Sequence, residues 1–202
     1  MTAEHGSTSS KQLRDLPRLL RIFLKDPIGM MKSPVSISYP AILSLIAGTA
    51  LISGSLVGLL NRNFVDFLIG VLVFPITSVV MALVFSFFIY YFFSIFQSTL
   101  LDFRRLLSMV SLALVPFFLF HSASGYLPPI DLIGFAFTGM LLVVGLIEQF
   151  KLNRKLVIRL IAGVGVTFFI IWSIAQIRSG LRGAEDIRAP RSLDEMQRSL
   201  KD

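Results

Sequence analysis

Asp102-Phe103-Arg104-Arg105-Leu106-Leu107, running on through Ser108 to Phe120 with Pro116 inside it, is the stretch whose reading decides the fold. It lies near the middle of the chain, between two long apolar runs, and sets two adjacent arginines at the start of an apolar segment. An apolar helix carrying such a pair at one end is placed with that end at the cytoplasmic surface, where the positive-inside bias favours it. With that end placed, the sidedness of every neighbouring segment follows by alternation.

A length of 202 residues would suit one ordinary soluble domain. The composition excludes it: 54% of residues are hydrophobic and only 15% charged, with a mean hydropathy of +0.78. Soluble domains carry about 25% charged residues. Repeated apolar runs of this kind read as crossings of the roughly 30 Å hydrocarbon layer. The expected fold class is therefore all-α: a polytopic transmembrane helical bundle of five spans, with an N-terminal amphipathic interfacial helix.

Cysteine is absent, which excludes a disulfide framework, a thiolate nucleophile and a cysteine metal site. His5 and His121 are the only histidines, too few for a histidine metal site, and no cofactor is expected. The net charge of +7 does not point to nucleic acid. The basic residues cluster beside the apolar runs, where anionic headgroups account for them, and no nucleic-acid-binding motif accompanies them. The expected partners are the lipid bilayer and its anionic lipids, with a cytoplasmic protein or a second copy of the chain as further candidates.

Residues 1–10 are polar and rich in Ser and Thr, and read as a disordered tip. No secretory signal pattern precedes the first long apolar run. Over 11–33 the chain reads as a basic amphipathic cytoplasmic segment. At 100° per residue, Leu13, Leu16, Leu20, Phe23 and Leu24 share one arc, and Arg14, Arg18, Arg21 and Lys25 the opposite one. Such a helix either lies in the headgroup plane or packs on the protein's own inner face. Pro17 weakens the middle of such a helix, since it removes a backbone hydrogen bond, unless the helix starts there with Pro17 in its first turn.

The membrane domain is expected over 34–178, with spans at about 37–60, 76–96, 106–122, 132–150 and 157–177. In the first span, Gly54 and Gly58 form a small-residue pair that reads as core packing. The apolar run 67–101 is too long for one untilted crossing. Pro75 divides it into a short interfacial or re-entrant piece and a span, the alternative being one long kinked helix. The aromatic residues crowding the end of that span, Phe85 to Phe96, read as lipid-facing bulk with Tyr90 and Tyr91 in an interfacial belt. Pro116 kinks the third span and frees a backbone carbonyl that a neighbouring helix must help satisfy. Residues 179–202 form a charged tail of mixed sign.

Starting with the amino terminus inside, the inner side collects twelve basic residues, among them Arg104, Arg105, Lys151, Arg154, Lys155 and Arg159. The outer loops hold only Arg62. The tail breaks the pattern, since five spans put its six basic residues outside.

This arrangement resembles the Yip1 domain family. Three stretches carry the resemblance. The first is Phe23-Leu24-Lys25-Asp26-Pro27 with Met30-Met31. The second is Asp102-Phe103-Arg104-Arg105-Leu106-Leu107-Ser108 through Leu112-Ala113-Leu114-Val115-Pro116. The third is Gly145-Leu146 through Lys151-Leu152-Asn153-Arg154-Lys155-Leu156. Leu112 and Ala113 stand where members of the family often carry glycine and tyrosine. The resemblance implies five spans, a cytoplasmic amino terminus, partners in membrane trafficking or organisation, and no catalytic residues. The short amino-terminal region is similar to that of bacterial members, which favours the bacterial cytoplasmic membrane over the ER or Golgi.

Ionisable residues in mid-membrane are functional by default. Asp66, Asp102, Asp131, Glu148 and Arg159 all fall near span ends. Glu148 and Arg159 are the candidates for an intramembrane polar site, with pairing of Glu148 to Lys151 and snorkelling of Arg159 as the structural readings. The candidate lipid contacts are Arg14, Arg18, Arg21, Lys25, Arg104, Arg105, Lys151, Arg154 and Lys155. His121 with Asp131 and Ser122 or Ser124 invites a hydrolase reading but lacks a recognisable oxyanion architecture. Gly163 and Gly165 read as packing positions within the last span. The function expected is a non-enzymatic membrane-organising protein. A small oligomeric transporter or channel subunit is the alternative, and a lipid-processing membrane enzyme a further one.

Overall fold

A computed structural model describes residues 4–33, 37–60, 62–124, 126–127 and 129–188, with side chains from 12 to 174 within that range. The described residues contain seven helices and no strand: α1 (Glu4–Lys25), α2 (Pro27–Lys32), α3 (Tyr39–Leu60), α4 (Phe64–Gln97), α5 (Phe103–His121), α6 (Ile130–Phe150) and α7 (Arg154–Arg188). Five of these, α3 to α7, contain stretches long and apolar enough to cross a membrane. The protein is an all-α, multi-pass transmembrane bundle. The chain forms two compact units, Met1–Ala162 and Gly163–Asp202.

At the centre of the first unit stands α5. All eight residues from Leu106 to Ala113 are buried, which no other helix matches over so long a run. A helix buried on every side has protein rather than lipid around it, and α5 touches α3, α4 and α6. Its two buried hydroxyls need no outside partner. Ser108 Oγ donates to Arg104 O at 2.9 Å, and Ser111 Oγ to Leu107 O at 2.6 Å. Small residues of this kind let neighbouring helices approach closely.

The outer helices keep one apolar face uncovered. On α4, Ile76, Val80, Val84, Phe87, Phe88, Tyr91 and Ile95 are exposed at helical spacing, while Ala82, Ser86, Ile89 and Phe93 face the core. In water such a stripe would be a liability; against acyl chains it is the ordinary lipid-facing side. Phe103 at the head of α5 stacks on Phe87 at 4.4 Å and meets Tyr90 edge-on.

Residues 64–97 form one continuous helical run, which corrects the division at Pro75. Pro75 lacks the N–H that would bond Val71 O, and the turn before it widens to accommodate the ring. Phe74 N instead donates to Ile69 O across a π-helical turn at Ile69–Val73. The run thus continues through the proline rather than breaking at it. Gly70 lies in that turn against Gly54 of α3, and a Cβ on either would collide with the other's backbone. Gly58 likewise meets the backbone of Phe67. The small-residue pair of the first span therefore serves packing within the chain.

At Pro116 the helix loosens around Leu114, where Leu114 N donates to Val110 O and Phe118 N to Leu114 O. The carbonyl one turn before Pro116, Leu112 O, faces Leu114 N of its own segment, and the side-chain bond from α3 goes instead to a carbonyl beyond the proline. Ser53 Oγ donates to Phe118 O at 2.7 Å, a carbonyl that also accepts from Ser122 N.

The amino-terminal helix is described from Glu4, so the stretch read as a disordered tip is helical from residue 4 on. Residues 1–3 lie outside the described residues. Pro17 is inside the helix rather than at its start. Phe23 is fully buried, and Leu16, Leu19 and Leu20 pack against the same core, while Leu13 and Leu24 are exposed. The core-facing arc is thus narrower than the sequence pattern, and it rests on the protein's own body.

In the second unit, α7 continues as a helix to Arg188, past the expected end of the last span, so part of the charged tail is helical. Phe169, Ile170, Ile171 and Ile174 are exposed there, and Phe169 stacks on Trp172 at 6.4 Å. Within the second unit, nothing stands close to where a Cβ on Gly163 or Gly165 would lie. The tail from 189 on lies outside the described residues.

Candidate functional site, a basic end-face

Two arginines in the first turn of a helix oppose its macrodipole, so α5 has to offset them. Asp102 does this as the N-cap: its Oδ1 accepts from Arg104 N at 3.0 Å and Arg105 N at 3.3 Å. The guanidinium groups then reach other segments. Arg104 Nε donates to Ile37 O at 2.8 Å, just before α3. Arg105 Nη2 makes a longer contact of 3.4 Å to Gln149 O in the last turn of α6. That carbonyl has no partner within its own helix and lies at the negative end of the α6 dipole, where a cation is favoured. The Arg105 guanidinium also stands 5.5 Å from the Phe150 ring centre.

Other polar side chains tie the same end together. Ser108 Oγ accepts from Ile37 N at 3.4 Å, and Gln149 Nε2 donates to Met31 O at 2.8 Å, in the last turn of α2. Gln12 Oε1 of α1 accepts from Ser38 N at 2.8 Å, satisfying an N–H at the entry to α3. Asp26 caps α2 through Gly29 N at 2.8 Å. Helices α1, α2, α3, α5 and α6 are thus joined at one end by side chains that bond backbone groups of other segments.

Around this tied core stand nine exposed basic residues. Arg14, Arg18, Arg21 and Lys25 are exposed on α1, Lys32 on α2, and Lys151, Arg154, Lys155 and Arg159 in the α6–α7 region. Arg104 and Arg105 are half-buried and committed to carbonyls, so they belong to the joint as much as to its surface. Glu148 is exposed and pairs with Lys151 at 3.6 Å. An exposed pair of this geometry adds little stability. Lys151 itself ends α6 in the left-handed conformation, with φ 52°.

Beside the joint a groove of about 340 Å³ is lined by Lys32, Val143, Val144, Ile147, Glu148, Arg154 and Ile158. Its charged residues come from the helix ends and its apolar ones from further along α6 and α7.

At the opposite end, the loop between α5 and α6 is closed by His121 Nδ1 and Asp131 Oδ1 at 3.0 Å. His121 lies in the last turn of α5 and Asp131 in the first turn of α6, each at the helix end that favours its charge or partial charge. The imidazole stacks on Phe74 at 4.7 Å and on Phe117 at 5.7 Å. Ser122 Oγ donates to Leu119 O at 2.6 Å, so this hydroxyl serves its own helix end. Among the described residues no three His, Asp or Glu gather as a metal centre would require.

Gln12, Ser108 and the tethering role of Gln149 are the residues that sequence reasoning missed. Nothing in their local pattern marks them, because each acts on a backbone group far away in the chain. No family model, no curated protein and no solved structure matches this chain.

Proposed function

We infer that the chain is a non-enzymatic organiser of the bacterial cytoplasmic membrane, of the Yip1-like kind, with its amino terminus in the cytoplasm. Its basic end would hold anionic lipid and offer α1 to a cytoplasmic protein. The observation that supports this reading is the ring of exposed cations around one tied end of the bundle. Among the described residues of the first unit, the other end carries a His–Asp clasp, an exposed Tyr126 and Arg62 as its basic residue. Each Lys or Arg near an anionic surface adds about 1 kcal/mol of attraction. Arg14, Arg18, Arg21 and Lys25 together therefore make α1 a strong electrostatic contact that salt weakens.

The test uses full-length protein in vesicles of mixed phosphatidylglycerol and phosphatidylcholine, with spin-labelled versions of each lipid. The wild type should enrich phosphatidylglycerol at its boundary, and reversing Arg14, Arg18 and Arg21 to Glu should remove most of that enrichment. Equal boundary occupancy by both lipids in the wild type counts against the reading. A transporter would instead show solute flux that Glu148→Gln abolishes while folding stays intact.

A further inference from the structure

The groove between α2, α6 and the start of α7 is graded along its length. Val143, Val144 and Ile147 of α6 and Ile158 of α7 make its apolar floor, and Lys32, Glu148 and Arg154 its charged mouth. On α6 these positions fall at i, i+1, i+4 and i+5, and on α7 at i and i+4, so each helix gives the groove one continuous face. Leu152 is buried in the three-residue turn that joins the two helices.

Charge at the mouth is what names the ligand. Lys32 and Arg154 flank the single carboxylate of Glu148, which Lys151 also pairs with, so the mouth is net positive. An anionic phosphodiester suits that surplus. The apolar floor continues from the mouth toward the middle of α6, where an acyl chain attached to that phosphate would run. A volume of about 340 Å³ is at the small end of ligand-sized cavities, which run from about 300 Å³. It suits a glycerophosphate head with the beginning of one chain, the remainder lying along the lipid-facing surface.

We propose that this groove is a specific site for one anionic phospholipid, its phosphate between Lys32 and Arg154 and one acyl chain against Val143, Val144, Ile147 and Ile158. The carboxylate of Glu148 accepts a hydrogen bond from a hydroxyl of the headgroup. This rests on the reading that the basic end faces an anionic leaflet, and it adds a discrete, stoichiometric site to that diffuse attraction. Bound there, the lipid links the end of α2 to the α6–α7 turn.

Native mass spectrometry of the full-length protein, titrated with phosphatidylglycerol or phosphatidylcholine, tests it. The wild type should retain one phosphatidylglycerol in preference to phosphatidylcholine. The double variant Lys32→Gln, Arg154→Gln, which changes two exposed residues, should weaken that retention roughly 30-fold, about fivefold per cation. Val144→Trp, filling the floor, should abolish it. Arg14, Arg18 and Arg21 changed to Gln should leave the single bound lipid in place while lowering boundary enrichment, which separates this site from the broader function. Retention unchanged in both groove variants overturns the proposal, as does equal retention of the neutral lipid. A dimer that Val144→Trp dissolves would show a second copy in the groove and overturn it too.

Discussion

At the scale of single residues, the two arginines at the head of α5 do different work from the cations around them. Arg104 spends a nitrogen on Ile37 O at 2.8 Å, whereas Arg14 stands exposed on α1. A hydrogen bond to a charged donor contributes about 1.5–3 kcal/mol. Arg104→Met should therefore destabilise the detergent-purified protein by about that amount, while Arg14→Met should stay within about 0.5 kcal/mol. Thermal unfolding of both variants checks it, and equal stability would mean that the carbonyl contact contributes nothing. Ser53→Ala removes the one side-chain bond from α3 to Phe118 O and should cost about 1 kcal/mol by the same measurement. The pair Arg104-Arg105 was legible in sequence as a marker of sidedness, because clustered cations beside an apolar run have few explanations. That both would reach for backbone carbonyls was not legible, since their partners lie 67 and 44 residues away.

Among the elements, α3 and α4 cross closely where Gly54 faces Gly70, leaving no room for a Cβ on either. Gly54→Ala or Gly70→Ala forces the helices apart and should cost about 1–3 kcal/mol, as overpacking does. Gly163→Ala meets open space and should gain up to about 1 kcal/mol from helix propensity. Unfolding midpoints of the three variants should therefore move in opposite directions, and a common sign would contradict the crossing. The apolar runs made the spans readable from sequence alone, because the bilayer demands about 20 apolar residues per helix. The path through Pro75 was readable only as a choice. A proline reports a missing hydrogen bond but not how the preceding turn absorbs it, and here a π-turn does so against Gly54. Composition was equally silent on the burial of α5, since α5 and the lipid-facing helices are built from the same apolar residues.

For the molecule as a whole, asymmetry between the two ends is the organising fact. One end gathers Arg104, Arg105, Lys32, Lys151, Arg154 and Lys155 around a polar joint, and the other closes on a His121–Asp131 clasp. A helix of 21 residues spans about 30 Å, so α6 carries the chain from one face of the bilayer to the other. The proposed function requires the basic end to be cytoplasmic. The chain has no cysteine, so single cysteines report position without background. Tyr126→Cys and Lys155→Cys, both exposed, lie at opposite ends of α6. With a membrane-impermeant maleimide applied to intact bacterial cells, Tyr126→Cys should label at once and Lys155→Cys only after permeabilisation. Labelling of Lys155→Cys in intact cells, with Tyr126→Cys protected, would contradict the account.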